Sequence, residues 1–97
     1  MEITARYRLV DFVKNHADSR SAINTWVETI ENATWNNHNE LKQVFPSADY
    51  VRNNRYVFNI KGNNYRIVVV IVFFAQECNI RFVGTHAEYN KINASTI

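Results

Sequence analysis

Apolar residues in the first half of the chain recur with the spacing of amphipathic helices. The clearest helix follows Asp18 and Ser19, either of which can cap it, because apolar side chains then return every three or four residues. These apolar residues are Ala22, Ile23, Trp26, Val27 and Ile30. The segment from about Ala5 to His16 predicts an earlier helix, and a short strand around Ile3 opens the chain.

A third and shorter helix is predicted ahead of the only proline. Asn37 stands three residues before Glu40, which is the spacing of a capping box at the start of a helix. The apolar side of this helix consists of Leu41, Val44 and Phe45. Pro46 has no backbone N–H and clashes with the preceding turn, so the helix is expected to end before it.

After the proline the periodicity changes to that of β-strands. Apolar and polar residues alternate over 55–60, which indicates a strand with one buried face. Turn-forming residues 61–64 (KGNN) follow. Residues 65–74 are almost all β-branched or aromatic, as in a central strand that is covered on both faces. A second connection at 76–79 then leads to a third strand at 80–85.

Helices followed by an antiparallel sheet predict an α+β fold with the helices packed on one face of the sheet. The sheet is expected to contain a β-meander from about residue 54 to residue 85. The segment from His86 to Ile92 is expected to form at least one helical turn. A length of 97 residues suits one domain, residues 1–97, and no repeat or linker interrupts it. Trp26 and Trp35 are expected to pack in the core.

The composition also limits where the protein is expected to act. The longest apolar run, Ile67 to Ala75, is much shorter than the roughly 20 residues of a membrane span. The first residues lack the apolar core of a signal peptide. A single cysteine, Cys78 at a predicted turn, excludes an internal disulfide and a zinc site built mainly from cysteines. We therefore expect a cytoplasmic protein without contact with a membrane.

Positive charge is concentrated in the second half of the chain. Residues 1–48 contain five Lys or Arg and six Asp or Glu, a net charge of −1, whereas residues 49–97 contain six and three, a net charge of +3. No acidic residue lies between Asp49 and Glu77. This asymmetry favours a phosphate-rich partner that is contacted locally by the second half of the chain.

Several familiar catalytic motifs are absent. The two glycines, Gly62 and Gly84, cannot form a phosphate-binding loop or a dinucleotide fingerprint, and there is no Gly-x-Ser-x-Gly sequence. The histidines at 16, 38 and 86 lie far apart and lack the spacing of metal ligands. We therefore expect neither a metal nor another cofactor.

Two arginines interrupt the apolar strands, Arg66 in the central strand and Arg81 in the last one. Arginine is rarely buried without a partner, and its guanidinium binds phosphate oxygens through two parallel hydrogen bonds. The pair therefore suggests a sheet face that is open to a phosphate-bearing ligand. The alternative is that each arginine extends past the sheet edge or pairs with Glu77, Glu88 or an acidic residue of a helix.

Whether these two arginines share a face depends on the length of the last hairpin connection. With a three-residue connection at 76–78, Arg81 lies opposite Phe73 and Arg66 points to the other face. A connection of two or four residues returns both side chains to a common face. The sequence leaves this register open.

Two residues at the end of the last strand complete the candidate site. His86 can transfer protons near neutral pH, or it is a strand-end histidine bonded to the backbone. Tyr89 can stack on an unpaired base or donate its hydroxyl, or it closes the edge of the core. Residues 52–55 (RNNR) either grip a nucleic-acid backbone or form a solvated loop.

Longer blocks of sequence resemble a known family. These blocks are residues 45–49 (FPSAD), 56–63 (YVFNIKGN), 65–68 (YRIV) and 80–89 (IRFVGTHAEY). They are similar to the HigB family of bacterial toxins, which belongs to the RelE/ParE-like toxins. The likeness covers nearly the whole chain, is densest over 45–92, and implies a small α+β fold with helices against a curved antiparallel sheet.

The resemblance implies a toxin of a type II toxin–antitoxin system that cuts mRNA on the ribosome and is neutralised by a helix-turn-helix antitoxin of the HigA type. It implies no direct contact with DNA except through the antitoxin complex. The implied reaction needs no metal, because the ribose 2′-hydroxyl attacks the adjacent phosphorus. Two alternatives stay open, a RelE-like module that binds RNA or protein without cutting and, with less support, a ParE-like gyrase poison.

By the same resemblance, the strand arginines and the closing Thr-His-x-Glu-Tyr block match the family motif. The predicted catalytic residues are therefore Arg66, Arg81, His86 and Tyr89. The predicted contacts with RNA or the ribosome are Arg52, Asn54, Arg55, Lys61, Asn63 and Lys91. Asn90 stands where the family usually has Asp, which lowers the expected activity if that acid orients a catalytic partner.

Overall fold

The computed structural model describes all residues from 1 to 97, which form four α-helices, one 3₁₀ turn and five strands. In chain order these are β1 (Glu2–Thr4), α1 (Tyr7–Asn15), the 3₁₀ turn (Ala17–Ser19), α2 (Arg20–Glu31), α3 (His38–Val44), β2 (Asp49–Arg52), β3 (Arg55–Ile60), β4 (Tyr65–Val72), β5 (Glu77–Thr85) and α4 (His86–Tyr89). The predicted α+β class is confirmed. None of the helices has the length and apolar character that a membrane crossing requires.

The five strands form one open sheet in the order β1-β5-β4-β3-β2. Strands β3, β4 and β5 are the predicted antiparallel meander. The predicted short opening strand, β1, extends this meander by pairing parallel with β5, which places Ile3 opposite Cys78 and makes the sheet mixed. By filling the free edge of β5 in this direction, β1 buries Ile3 in the core.

One strand was not predicted, and another begins earlier than predicted. Strand β2 was not predicted because its side chains do not alternate in burial: only Val51 is half-buried, while its three other residues are exposed. Strand β5 begins at Glu77, so Cys78 lies inside a strand and not at a turn. The connection between β4 and β5 is formed by residues 73–76 instead of 76–79.

The helix starts follow the predicted positions but not always the predicted contacts. Ser19 is the N-cap of α2, yet its hydroxyl donates to the carbonyl oxygen of His16 at 2.6 Å and caps no helical N–H. Asn37 caps α3 as expected, because its side-chain oxygen accepts a hydrogen bond from the backbone N–H of Glu40 at 3.0 Å. Helix α3 ends at Val44, before Pro46.

The core lies between the helices and one face of the sheet. It contains nineteen buried residues, among them both tryptophans, as predicted. Phe58 is near its centre, with ring centroids 5.4 Å from Trp26 and 4.9 Å from Phe45. Burial of aromatic side chains of this size supplies much of the hydrophobic stabilisation of a small domain.

The opposite face of the sheet is covered only in part. Val57 and Val68 are buried there beneath Ala94, and Ile92 and Ile97 pack beside them. We call residues 92–97 the tail. This face is therefore open only in part, since the tail shields its middle while Arg66 stays half-exposed.

Candidate active site

The register of the last hairpin decides where Arg81 lies. The four-residue connection places Val72 opposite Glu77, and pairing continues regularly as far as Val69 opposite Ile80. A β-bulge then intervenes, because the next pair is Val68 opposite Phe82. Arg81 is therefore an extra residue without a partner on β4, which is the kind of irregularity that re-aims a side chain.

Arg66 is the centre of a compact cluster at the end of β4. Its Nη1 donates to the carbonyl oxygen of Asn63 at 3.0 Å, and its Nη2 lies 3.0 Å from Nδ1 of His86. The guanidinium carbon is 5.9 Å from the centre of the Tyr89 ring. Three of the four residues predicted as catalytic thus lie together, and we call Arg66, His86 and Tyr89 the arginine cluster.

The contact with Arg66 determines which nitrogen of His86 carries the proton. A guanidinium can only donate hydrogen bonds, so Nδ1 of His86 must accept. The neutral imidazole in this arrangement therefore has its hydrogen on Nε2. Since the side chain of His86 is exposed, this Nε2–H group is available to a ligand.

Helix α4 is short, and its first turn is fixed at both ends. The Thr85 hydroxyl accepts a hydrogen bond from the backbone N–H of Glu88 at 3.1 Å, and the Glu88 carboxylate accepts one from the backbone N–H of Thr85 at 2.8 Å. The second bond is the main reason that the pKa of Glu88 lies below its usual value. The backbone N–H of His86 also donates to the carbonyl oxygen of Asn64 at 3.3 Å.

Gly84, which lies opposite Arg66, makes room for two neighbouring side chains. A Cβ atom at this position would be 2.5 Å from the Phe82 ring and 2.9 Å from the Glu88 carboxylate. Both distances are shorter than real Cβ contacts allow. The glycine is therefore needed for close approach, and it lets Glu88 reach back to cap α4 beside the arginine cluster.

Arg81 lies apart from this cluster. It is exposed, makes no side-chain hydrogen bond, and is three residues from Gly84 along β5, a distance of about 10 Å. The only ion pairs are Arg6–Glu31, Lys14–Asp11 and Lys61–Asp18. The alternative in which the strand arginines pair with Glu77 or Glu88 is therefore wrong, and both guanidinium groups lack a carboxylate partner.

The residues predicted to contact RNA or the ribosome fall into two groups. Lys61 and Asn63 lie in the turn between β3 and β4, and Lys91 follows α4, so all three are at the end of the sheet that carries the arginine cluster. The others, Arg52, Asn54 and Arg55, lie at the opposite end of β3, about 17 Å away.

Several of these side chains already have partners within the chain. Arg55 donates through Nε to the carbonyl oxygen of Ile97 at 3.0 Å and through Nη1 to that of Asn53 at 2.9 Å. Lys61 is 3.0 Å from the carboxylate of Asp18. By contrast, Arg52, Asn63 and Lys91 are exposed and form no side-chain hydrogen bond.

The sequence reasoning missed one pair of residues next to the site. The Tyr65 hydroxyl lies 2.7 and 2.8 Å from the two carboxylate oxygens of Asp18. This bond is the largest cause of a lowered pKa at Asp18 and of a raised pKa at Tyr65. An acid ahead of a helix is ordinarily a cap, and no sequence signal pointed to a partner 47 residues away.

Comparison with known proteins agrees with the sequence resemblance. A family model named HigB_toxin, described as the RelE-like toxic component of a toxin–antitoxin system, matches residues 19–92. The chain belongs to the HigB toxin family. Two HigB relatives are the mRNA interferase toxin HigB of Escherichia coli strain K12 and the mRNA interferase HigB of Shigella flexneri, each 32% identical over 96 residues, which is 97% of this chain and 92% of the relative.

The segment that matches the HigB family contains the complete candidate site. Both strand arginines and the closing block with His86 and Tyr89 lie within residues 19–92. Helices against a five-stranded, open sheet are also consistent with the RelE-like fold that the resemblance implied. In this HigB chain, no three His, Cys, Asp or Glu side chains are grouped so that they can hold a metal ion.

Proposed function

We propose that this chain is the toxin of a toxin–antitoxin pair and acts as a ribosome-dependent mRNA endonuclease. Membership of the HigB family and similarity to relatives named mRNA interferase support this function. The observation that carries it is the guanidinium of Arg66, which has no carboxylate partner and lies between an imidazole and a phenol ring. Such an arrangement suits a bound phosphodiester.

In the proposed reaction the ribose 2′-oxygen attacks the adjacent phosphorus, and the bond from phosphorus to the 5′-oxygen breaks. The products are a 2′,3′-cyclic phosphate and a 5′-hydroxyl. The 2′-proton must be removed, the departing 5′-oxygen must gain a proton, and the extra negative charge on phosphorus must be stabilised. Fixed cations are most effective where such charge develops, which is the role proposed for Arg66 and Arg81.

His86 is the proposed proton-transfer group, and its bond to Arg66 suggests how it is activated. In the free protein Nδ1 is occupied, because it accepts a hydrogen bond from Nη2 of Arg66. A phosphate oxygen is a stronger acceptor for a guanidinium than a neutral imidazole is. When the phosphodiester binds Arg66, Nδ1 is released and can accept the 2′-proton.

Tyr89 is suited to two alternative roles in the proposed reaction. Its ring is half-exposed beside the guanidinium, so a neighbouring base can stack on it. Its hydroxyl can alternatively donate the proton to the 5′-oxygen. Lys61, Asn63 and Lys91 lie at the same end of the sheet and are the proposed contacts with the RNA backbone or the ribosome, while Arg52, Asn54 and Arg55 serve a second contact at the far end.

The proposed partners are the ribosome, which presents the mRNA, and a helix-turn-helix antitoxin of the HigA type. Correct alignment of reacting groups accounts for many kcal/mol of a reaction barrier. The ribosome therefore supplies the orientation of the mRNA that so small a protein surface lacks. The proposed place of action is the cytoplasm. DNA is contacted only through the antitoxin complex, and neither a metal nor another cofactor takes part.

Mapping of cut sites tests the function directly. After brief induction of the chain in bacteria, primer extension on cellular mRNA should show new 5′ ends within translated regions. DNA damage with intact mRNA would instead indicate a gyrase poison, and the absence of both would indicate a binding module. In a reconstituted reaction at the magnesium concentration that intact ribosomes need, ribosome-bound mRNA should be cut, whereas free mRNA should not.

Substitution of the nucleotide before the cut site tests the chemistry. An mRNA with a single 2′-deoxynucleotide at that position lacks the proposed nucleophile, so cleavage there should stop while translation up to that codon continues. The matched control carries the 2′-deoxynucleotide one position downstream and should be cut normally. Equal cleavage of both substrates would exclude attack by the 2′-hydroxyl.

A further inference from the structure

Asp18 links the helix layer to both ends of the turn between β3 and β4. Its carboxylate accepts hydrogen bonds from the Tyr65 hydroxyl, at 2.7 Å, and from the Lys61 ammonium group, at 3.0 Å. Lys61 begins this turn and Tyr65 directly follows it. A single carboxylate on the 3₁₀ turn that precedes α2 therefore holds the two residues that flank the turn.

The aromatic ring of Tyr65 is itself fixed in place. It is 9% exposed and packs edge-on against Phe12, with ring centroids 5.1 Å apart, and against His16, at 5.5 Å. The hydroxyl therefore reaches Asp18 from a position set by the core. In contrast, the turn that it anchors is exposed throughout and contains one internal backbone bond, from the N–H of Asn64 to the carbonyl oxygen of Lys61.

The same turn contacts two residues of the arginine cluster. The carbonyl oxygen of Asn63 accepts a hydrogen bond from the guanidinium of Arg66, and the carbonyl oxygen of Asn64 accepts one from the backbone N–H of His86. Tyr65 is also paired across the sheet with Thr85, the residue that caps α4. A shift of the turn therefore moves Arg66 and His86 relative to each other.

We infer that Asp18 and Tyr65 are positioning residues for the proposed cleavage reaction. Neither is part of the arginine cluster. They act through the turn, whose two carbonyl groups orient the Arg66 guanidinium and the first residue of α4. The inference rests on the proposed function for its effect on catalysis, whereas its geometric part concerns the free protein and can be measured without substrate.

The sharpest variant is Tyr65→Phe, which removes one hydroxyl and keeps the ring that packs on Phe12 and His16. Displacement of reacting groups by about 1 Å can lower a rate by about 100-fold. We expect kcat for cleavage of ribosome-bound mRNA to fall by about tenfold or more, with a much smaller change in KM. The matched control is Tyr7→Phe, because the Tyr7 hydroxyl is exposed and forms no hydrogen bond; it should cleave as the parent does.

An NMR measurement separates positioning from a general loss of stability. In the parent, ¹⁵N spectra of the His86 imidazole should report an unprotonated, hydrogen-bonded Nδ1 and a protonated Nε2. In Tyr65→Phe, the Nδ1 signal should move towards that of a free histidine that exchanges between tautomers. Asp18→Ala should behave in the same way, and Asp18→Asn should retain part of the parent signal because its amide oxygen still accepts from Tyr65.

Two outcomes separate the positioning role of Asp18 and Tyr65 from the proposed function. If Tyr65→Phe lowers thermal stability but leaves both the His86 signals and kcat unchanged, the inference is overturned and the bond is only structural. If the parent chain does not cut mRNA but the His86 signals move as described, the proposed function is wrong and the link between the turn and the cluster stands.

Discussion

The two faces of the sheet differ more than any other two regions of the molecule. Side chains on the face beneath the helices form part of a cluster of nineteen buried residues, whereas those on the opposite face form part of a cluster of only three. The arginine cluster lies at the end of this second face. Adjacent residues of one strand thus contribute either to the core or to the candidate site, because side chains alternate between the two faces of a sheet.

Strand β4 illustrates the division. Ile67 is fully buried on the face of the helices, while its neighbours Arg66 and Val68 point to the other face. Arg66 is half-exposed although the residue after it has no exposed surface at all. The large core on one face keeps the strand in place, so the small cluster on the other face can leave the guanidinium of Arg66 without a carboxylate partner.

Truncation of Phe58 and of Val57, which are neighbours on β3, should show the largest difference between the two faces in the free energy of unfolding. Phe58→Ala should lower the free energy of unfolding by about 3–5 kcal/mol, because it opens a cavity in the main core. Val57→Ala removes roughly two methylene equivalents beneath the tail and should cost about 1.6 kcal/mol. Urea denaturation measures both values, and equal losses would contradict the proposed asymmetry.

Loss of either strand arginine should affect cleavage and not folding. Arg66→Ala and Arg81→Ala should each lower kcat by about 100-fold or more, as removal of one charge-stabilising donor does in other enzymes. Unfolding curves and antitoxin binding should stay like those of the parent. Arg20→Ala, an exposed arginine at the start of α2, is the matched control; normal cleavage by a folded Arg81→Ala would remove Arg81 from the site.

Truncation of Ile92 in the tail should have a smaller effect, which is limited to the packing of the tail on the sheet. Ile92 is half-buried against the small cluster, so Ile92→Ala should weaken its packing by about 1 kcal/mol. Limited trypsin digestion should then cut after Lys91 several times faster, while the rest of the sheet resists. An unchanged rate of cutting would mean that Ile92 does not hold the tail.

The dependence of stability on pH tests the contacts of Asp18. The pKa of this carboxyl is lowered in the folded state, first by the hydrogen bond from Tyr65 and then by that from Lys61. The resulting stabilisation is present above the pKa of an unfolded aspartate, about pH 4, and is lost as the pH falls through the lower folded value. Tyr65→Phe should flatten this acid loss in urea titrations, and an unchanged pH profile would exclude the bond as its cause.

The buried thiol of Cys78 should react very slowly in the folded protein. Burial raises the pKa of its thiol to about 12, so hardly any thiolate is present at neutral pH. Iodoacetamide at pH 8 should therefore modify the unfolded chain and leave the folded chain almost unlabelled over the same period. Rapid labelling of the native protein would show that this part of the core opens readily.

The helices and the meander were predictable because their apolar residues repeat regularly. Helix α2 buries Ile23, Trp26 and Ile30 at the predicted spacing. Strand β2 was missed because an edge strand with one half-buried residue has no such repeat. The bulge at Arg81 could not be predicted either, because one extra residue in a strand leaves no mark on the pattern of apolar and polar side chains.

The candidate site was predictable in its members and not in its arrangement. The family resemblance pointed to Arg66, His86 and Tyr89, and the structure brings these three together. It could not place Arg81 about 10 Å along β5, because that depends on the hairpin register. Asp18 was assigned to a helix cap because its true partner, Tyr65, is distant in sequence and is joined to it only by the fold.

The tail also has a consequence for the direction from which an RNA strand arrives. Because it already rests on Val57 and Val68, the middle of that sheet face is not free to receive a long stretch of nucleotides. In the proposed reaction, a strand whose phosphate contacts Arg66 therefore approaches from the end of the sheet that carries α4 and the turn between β3 and β4. On this proposal the protein contacts only a few nucleotides, and the proposed ribosome partner supplies any wider selection of the message.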